Sequence, residues 1–221
     1  MSLGRRAFKL VYLAWYKLLF GRRFPGSERL ARRVLAWEQA TGRGDAPAPK
    51  ETWEAEYRLG KWELMRDELA RYSVIAAWVH HLSPGGSVLD VGAGEGLLVD
   101  HLRPLGYSRY VGIDLAEAAV EQAQARADEK TRFVTADAET YQPEGRWDVI
   151  VLNECIYYFA DPLATAARYK AFLAPGGALV VSTFRSRRAD AIGRRLLEAH
   201  ALVEETRIST CKGTWVVRVL Q

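Results

Sequence analysis

From Glu51 onward the apolar positions change period twice along the chain. Between Thr52 and Leu82, residues Trp53, Tyr57, Trp62, Leu64, Leu69, Tyr72, Ile75, Ala76 and Val79 recur at helix-like spacing with charges between them, which predicts a helical segment. Ser83-Pro84-Gly85-Gly86 ends it. Short apolar runs then alternate with amphipathic stretches. Ser87–Val91, Tyr110–Asp114, Thr131–Thr135, Trp147–Leu152 and Ala178–Phe184 read as strands. Glu95–Leu105, Ala116 to about Glu129, Pro162–Leu173 and Arg187–His200 read as helices. Gly106 stops the first of these, and Asp161 with Pro162 starts the third as N-cap and first-turn proline. Leu202–Ser209 and Thr214–Leu220 flank Lys212-Gly213 as a closing hairpin. Strands alternating with helices predict a parallel, doubly wound α/β sheet, to which the hairpin adds one antiparallel strand. Ligands of such sheets bind beyond the carboxyl ends of the strands, near the point where the strand order reverses.

The N-terminal stretch is different. Residues 1–40 are basic and aromatic, and residues 41–50 are a linker rich in Gly and Pro. Residues 51–82 form the helical cap and 83–221 the α/β domain. Between Met1 and Leu35 stand nine basic residues and a single acid, Glu28, against a whole-chain net charge of +4, so the body is net acidic. A nucleic-acid argument from the overall charge therefore fails, and no DNA partner is expected. The segment from Ala7 to Phe20, with Arg5-Arg6 and Arg22-Arg23 on its flanks, is too short and too charged to span a bilayer. It reads as an amphipathic arm that meets an anionic membrane surface through residues 5–33, with packing on the domain or on a partner, or an organelle transit peptide, as the alternatives.

Hydrophobic residues at 49% and charged residues at 26% are ordinary globular usage and exclude a disordered chain or a disulfide scaffold. Cys155 and Cys211 have no metal-type spacing, and the four histidines show no ligand pattern, so a cytoplasmic protein without a metal site is expected.

The chemistry concentrates where the first strand ends, in Asp90-Val-Gly-Ala-Gly-Glu-Gly96. Glycines at alternate positions let the backbone pass close to a ligand and turn into a helix. Nicotinamide cofactors, flavins and S-adenosylmethionine all suit such a turn. The spacing is one residue shorter than the dinucleotide G-x-G-x-x-G, and two further acids follow: Asp114 at the end of the second strand and Asp137 after the third.

With these residues the chain resembles the class I S-adenosylmethionine-dependent methyltransferases over about residues 83–221. The resemblance implies a seven-stranded Rossmann-like sheet with an antiparallel last strand. It implies that Asp90, Gly92, Ala93, Gly94 and Gly96 form the first cofactor motif. Asp114 and Leu115 then face the ribose, Asp137 and Ala138 the adenine, and Asn153 the cofactor from the fourth strand. In Asn153-Glu-Cys-Ile-Tyr-Tyr158, Glu154 aligns with the first acid of a Glu-x-x-Glu-His-like stretch of small-molecule members, while Tyr157 and Tyr158 replace Glu-His. Glu154, Tyr157 and Tyr158 are therefore the candidate catalytic residues, with no histidine base at that station. Trp53, Tyr57, Trp62, Arg71 and Tyr72 are expected over the methionine end of the cofactor, Arg71 pairing with its carboxylate. The Asn-Pro-Pro-Tyr-type motif of nucleic-acid amino methyltransferases is absent. The expected reaction is methyl transfer to O or N of a small-molecule acceptor, a lipid-linked sugar or amphiphilic precursor if the arm meets a membrane. An RNA or protein methyltransferase and a non-catalytic cofactor-binding subunit are the alternatives.

Overall fold

The computed structural model describes residues 47–221 other than Cys211. The arm at 1–40 and most of the linker lie outside the described residues. The region read as one helical stretch is three pieces. Helix α1 is Lys50–Arg58, a 3-10 turn is Lys61–Asp67, and helix α2 is Leu69–Leu82. Gly60, at φ +70, separates the first two because it takes a left-handed conformation that ends the α1 hydrogen-bond ladder. Helix α2 buries Tyr72, Ile75, Ala76 and Val79, one face of a 3.6-residue period, against the sheet.

The remaining elements follow the alternation. They are β1 Ser87–Val91, α3 Leu97–Leu102, β2 Arg109–Asp114, α4 Glu117–Ala123, β3 Thr131–Thr135, β4 Trp147–Asn153, α5 Pro162–Lys170, β5 Leu173–Phe184, α6 Arg187–Ala199, β6 Leu202–Thr210 and β7 Gly213–Leu220. Single 3-10 turns extend α3 and α4, so both α-helices are shorter than their apolar pattern suggests. Asp161 caps α5 by accepting from the backbone N–H groups of Leu163 and Ala164 at 3.1 and 3.0 Å. Ser186 caps α6 through the N–H of Ala189.

The seven strands lie in the order β3-β2-β1-β4-β5-β7-β6. Strands β1 to β5 pair in parallel, and β7 inserts antiparallel between β5 and β6. Central strands are buried on both faces, as a continuous apolar run requires. Val88, Val149 and Val151 join Ile75, Val79 and Leu98 on one face, while Leu89, Ile150 and Leu152 join Tyr169 and Leu196 on the other. Each such fully buried side chain contributes about 1.5–3 kcal/mol relative to exposure. The strand order reverses between the parallel neighbours β1 and β4, and the carboxyl ends of these two strands frame the site.

Candidate cofactor and acceptor site

The turn after β1 is pinned to β2, because the N–H groups of Gly92 and Ala93 both donate to the Ile113 carbonyl at 2.9 Å. Its glycines are required by close approach. A β-carbon on Gly92 would stand 2.6 Å from that of Cys155, and one on Gly94 would stand 2.8 Å from the Tyr57 hydroxyl. Gly96 packs against Phe133, behind the turn.

Asp114 ends β2 beside this turn. Its carboxylate accepts from the N–H of Gly94 and from that of Ala116, each at 2.9 Å. Burial pushes its pKa up to about 6, against the lowering effect of these backbone donors. Asp90 lies behind the turn, fully buried. The Tyr110 hydroxyl donates to its Oδ2, while Oδ1 has no hydrogen-bond partner among the described residues. Burial raises it to about 7. Asp137 is exposed and makes an Asx turn, accepting from the Glu139 N–H at 2.8 Å.

A cavity of about 340 Å³ opens over the turn. Gly92, Ala93 and Gly94 line its floor, Asp114, Leu115, Asp137 and Ala138 one side, and Asn153, Glu154, Tyr158 and Phe159 the other. Trp53, Tyr57, Trp62, Arg71 and Tyr72 close it from the cap. The spacing of motifs thus converges on one cavity, with three exceptions among the expected residues: Asp90, Gly96 and Tyr157 support its wall from behind. A wider, shallow hollow of about 570 Å³ lies at the opposite sheet edge beside Arg146 and Ala174–Gly177 and holds none of the expected cofactor or catalytic residues.

The wall facing Asp114 across the cavity comes from the turn after β4. Glu154 is the one non-glycine residue with positive φ among the described residues, at φ +60. Its Oε1 accepts from Ser182 Oγ at 2.8 Å, and its Oε2 accepts from the Tyr157 hydroxyl at 2.8 Å and the Phe184 N–H at 2.9 Å. Burial raises its pKa against the lowering effect of Arg71 and these donors. The carboxylate ties β4 to β5 and holds Tyr157, which is buried. Tyr158, the next residue, faces the cavity and meets the Trp53 ring edge-on at 4.6 Å.

Arg71 is buried rather than solvated. Its guanidinium pairs with Glu68 and donates to the Asn153 side-chain oxygen, and its Cζ lies 4.6 Å from the Tyr72 ring centre. Glu68 carries no motif signal, and neither does Glu54, whose carboxylate accepts from the N–H groups of Glu117 and Ala118 at 2.6 and 3.1 Å and fastens α1 to α4. Arg66 pairs with Glu95 of the glycine turn at 2.8 Å. Glu95 and Glu139 also line the cavity. Their place beside motif residues was the only available sign.

These groups fit S-adenosylmethionine. The Asp114 oxygens keep lone pairs for hydroxyl donors, the glycine floor admits a close backbone approach, and Asp137 and Ala138 stand one strand further along.

Comparison with known proteins agrees. The family model described as "Methyltransferase domain" matches residues 57–215. A ubiquinone biosynthesis O-methyltransferase of Albidiferax ferrireducens is 34% identical over 114 residues, covering 48% of this chain and 45% of that protein. The ribosomal protein L11 methyltransferase of Thermus thermophilus is 30% identical over 146 residues, covering 65% and 55%. The chain thus spans about half the length of these curated relatives. Among solved structures, the 1,6-didemethyltoxoflavin-N1-methyltransferase of Burkholderia thailandensis, with bound S-adenosylhomocysteine, superposes with a TM-score of 0.64 at 25% identity, covering 77% of this chain and 85% of that one. By its strand order, its glycine turn with Asp114 beside it, and the family match, the chain belongs to the class I S-adenosylmethionine-dependent methyltransferases.

Proposed function

We propose that the chain methylates an oxygen or nitrogen atom of a small-molecule acceptor that enters between Tyr158 and the aromatic rings of the cap. The observation that carries this reading is the aromatic wall of the cavity, where Trp53 from the cap meets Tyr158 from the turn after β4. A cavity roofed in this way suits a compact acceptor better than a folded protein surface.

When bound, S-adenosylmethionine supplies a methyl group already activated on its sulfonium. The protein's part is alignment and exclusion of water. In this reading Asp114 and Leu115 hold the ribose, Asp137 and Ala138 the adenine, and Gly92, Ala93 and Gly94 the methionine part, with Asp90 and Gly96 shaping the turn beneath. Arg71 orients Asn153 and Tyr72 at that end. Tyr158 touches the acceptor, and Glu154 with Tyr157 holds Tyr158 in place.

The basic, aromatic arm supports a further element, contact with an anionic membrane through residues 5–33 that would deliver an amphiphilic acceptor. The test has two parts. Titration with S-adenosylhomocysteine should show binding that Asp114→Ala weakens. Turnover should then be found among amphiphilic and soluble small acceptors, and only the full chain, not one lacking residues 1–50, should sediment with anionic vesicles. Methylation of a protein acceptor such as ribosomal protein L11, with none of any small molecule, would sink the small-molecule reading.

A further inference from the structure

We propose that the acceptor atom is an amine nitrogen carried on an aromatic or apolar body and recognised as a cation by the rings that line the cavity. This rests on the methyl-transfer reading above and names the substrate class for the same site.

The ring geometry comes first. Trp53 and Trp62 lie 6.0 Å apart with planes tilted by 35°, and Tyr57 lies 5.9 Å from Trp62 at 30°. Tyr158 closes the set against Trp53. Four contiguous rings therefore line a single cavity, and aromatic rings attract an ammonium group.

Charge points the same way. Asp114, Asp137 and Glu139 line the cavity. The one basic side chain among the described lining residues, Arg71, is committed to Glu68 and Asn153. Such surroundings favour a cation and oppose a carboxylate or phosphate.

Proton handling narrows the choice further. No histidine lines the cavity among the described residues, and both oxygens of Glu154 already accept hydrogen bonds from three donors. An ammonium held among the rings first gives one proton to water, and the neutral amine so formed attacks through its lone pair, whereas an aliphatic hydroxyl, a far weaker acid, needs a protein base. The nitrogen lone pair forms the new N–C bond while the C–S bond breaks with its electron pair on sulfur. The positive charge passes from sulfur to nitrogen, and the ammonium product releases a proton to water. The charge stays within the same cavity throughout.

The experiment uses the full chain saturated with S-adenosylhomocysteine, whose binding is measured first so that loss of the cofactor site is told apart from a wrong acceptor class. Phenethylamine, 4-ethylphenol and phenylacetate, similar in size, are titrated calorimetrically at pH 7.5. Phenethylamine should bind about ten-fold tighter than 4-ethylphenol, with phenylacetate weakest. In Trp53→Leu the ratio of amine to phenol affinity should fall to about three-fold or less. Tyramine, which carries both groups, should be methylated on nitrogen by the complete enzyme, as read by fragment masses. Amine binding no tighter than phenol binding, no measurable amine binding, or methylation of tyramine on oxygen would overturn the proposal.

Discussion

The hydroxyl oxygen of Tyr57 lies 2.8 Å from the point that a β-carbon on Gly94 would occupy, so the cap rests directly on the glycine turn. Gly94 also sits at φ +57, where a side chain adds strain of about 1–2 kcal/mol. Gly94→Ala should therefore lower S-adenosylhomocysteine affinity at least about ten-fold by displacing the turn or the cap, with a fall of only about 2–8 °C in melting temperature. Calorimetric titration beside circular dichroism checks both. Unchanged affinity would remove the turn from the cofactor site.

Glu54 caps a helix 63 residues away. Ala116, the N-cap of α4, offers no side chain for this purpose, so two α4 N–H groups depend on α1 for an acceptor. Glu54→Ala should cost about 1 kcal/mol in urea unfolding. Because the same bond fastens the cap over the cavity, S-adenosylhomocysteine should also dissociate faster, by about five-fold for that energy. Stopped-flow release that matches the parent chain would show that α1 does not guard the cavity.

Asp90 links stability to pH. Its carboxyl ionises near 3.8 when unfolded and holds its proton to about 7 when folded, because burial penalises the charge. Between these values the folded chain binds more protons than the unfolded one, so stability is greatest at low pH and declines as pH rises toward about 7. The decline should amount to a few kcal/mol, and Asp90→Asn should remove most of it. Urea unfolding of both chains at pH 5 and pH 8 measures the difference.

Cofactor affinity should run in the opposite direction. In the proposed site the charged form of Asp114 would offer two acceptor oxygens to ribose hydroxyls, and its pKa is raised to about 6 by burial. S-Adenosylhomocysteine should bind more tightly as pH rises through about 6 and level off above it. Asp114→Asn should bind weakly with a flat profile. A parent profile that is flat from pH 5 to pH 8 would place the ribose elsewhere.

Glu154 should behave as a positioning residue. Glu154→Gln preserves size but turns an N–H₂ group toward donors that now meet an acceptor, at a cost of about 1–3 kcal/mol. The KM for the acceptor should rise, since Tyr158 is held through Tyr157 and this carboxylate. The pH profile of kcat should keep its shape. Loss of the acidic limb in the variant would make Glu154 the base instead.

Much of the site is written in local sequence. The glycines of Asp90–Gly96 and the acids at 114 and 137 each follow a recognisable strand, and a strand's end is legible from apolar runs and turn residues. The split at Gly60 was less legible, because the apolar spacing continues across it while one left-handed residue redirects the chain. Tyr157 and Tyr158 are adjacent and chemically alike. Only the 3-10 turn that carries them, with Glu154 as anchor, sends one into the core and the other to the cavity. Arg71 reads as a surface charge or a ligand for a carboxylate. Its burial depends on Glu68 one turn away and on Asn153, 82 residues further along.

The order of elements, the doubly wound class and the cofactor family are readable along the chain, since periodicity, caps and turn glycines act between near neighbours. The tertiary structure alone decided which side chains are committed and which face the ligand: Glu54 on the α4 backbone, Arg71 on Asn153, Glu154 across to β5, and the rings of α1 over the cavity. Those contacts bridge elements distant in the chain, and their energies exist only once the sheet order has brought the partners together and burial has raised the cost of leaving any charge unpaired.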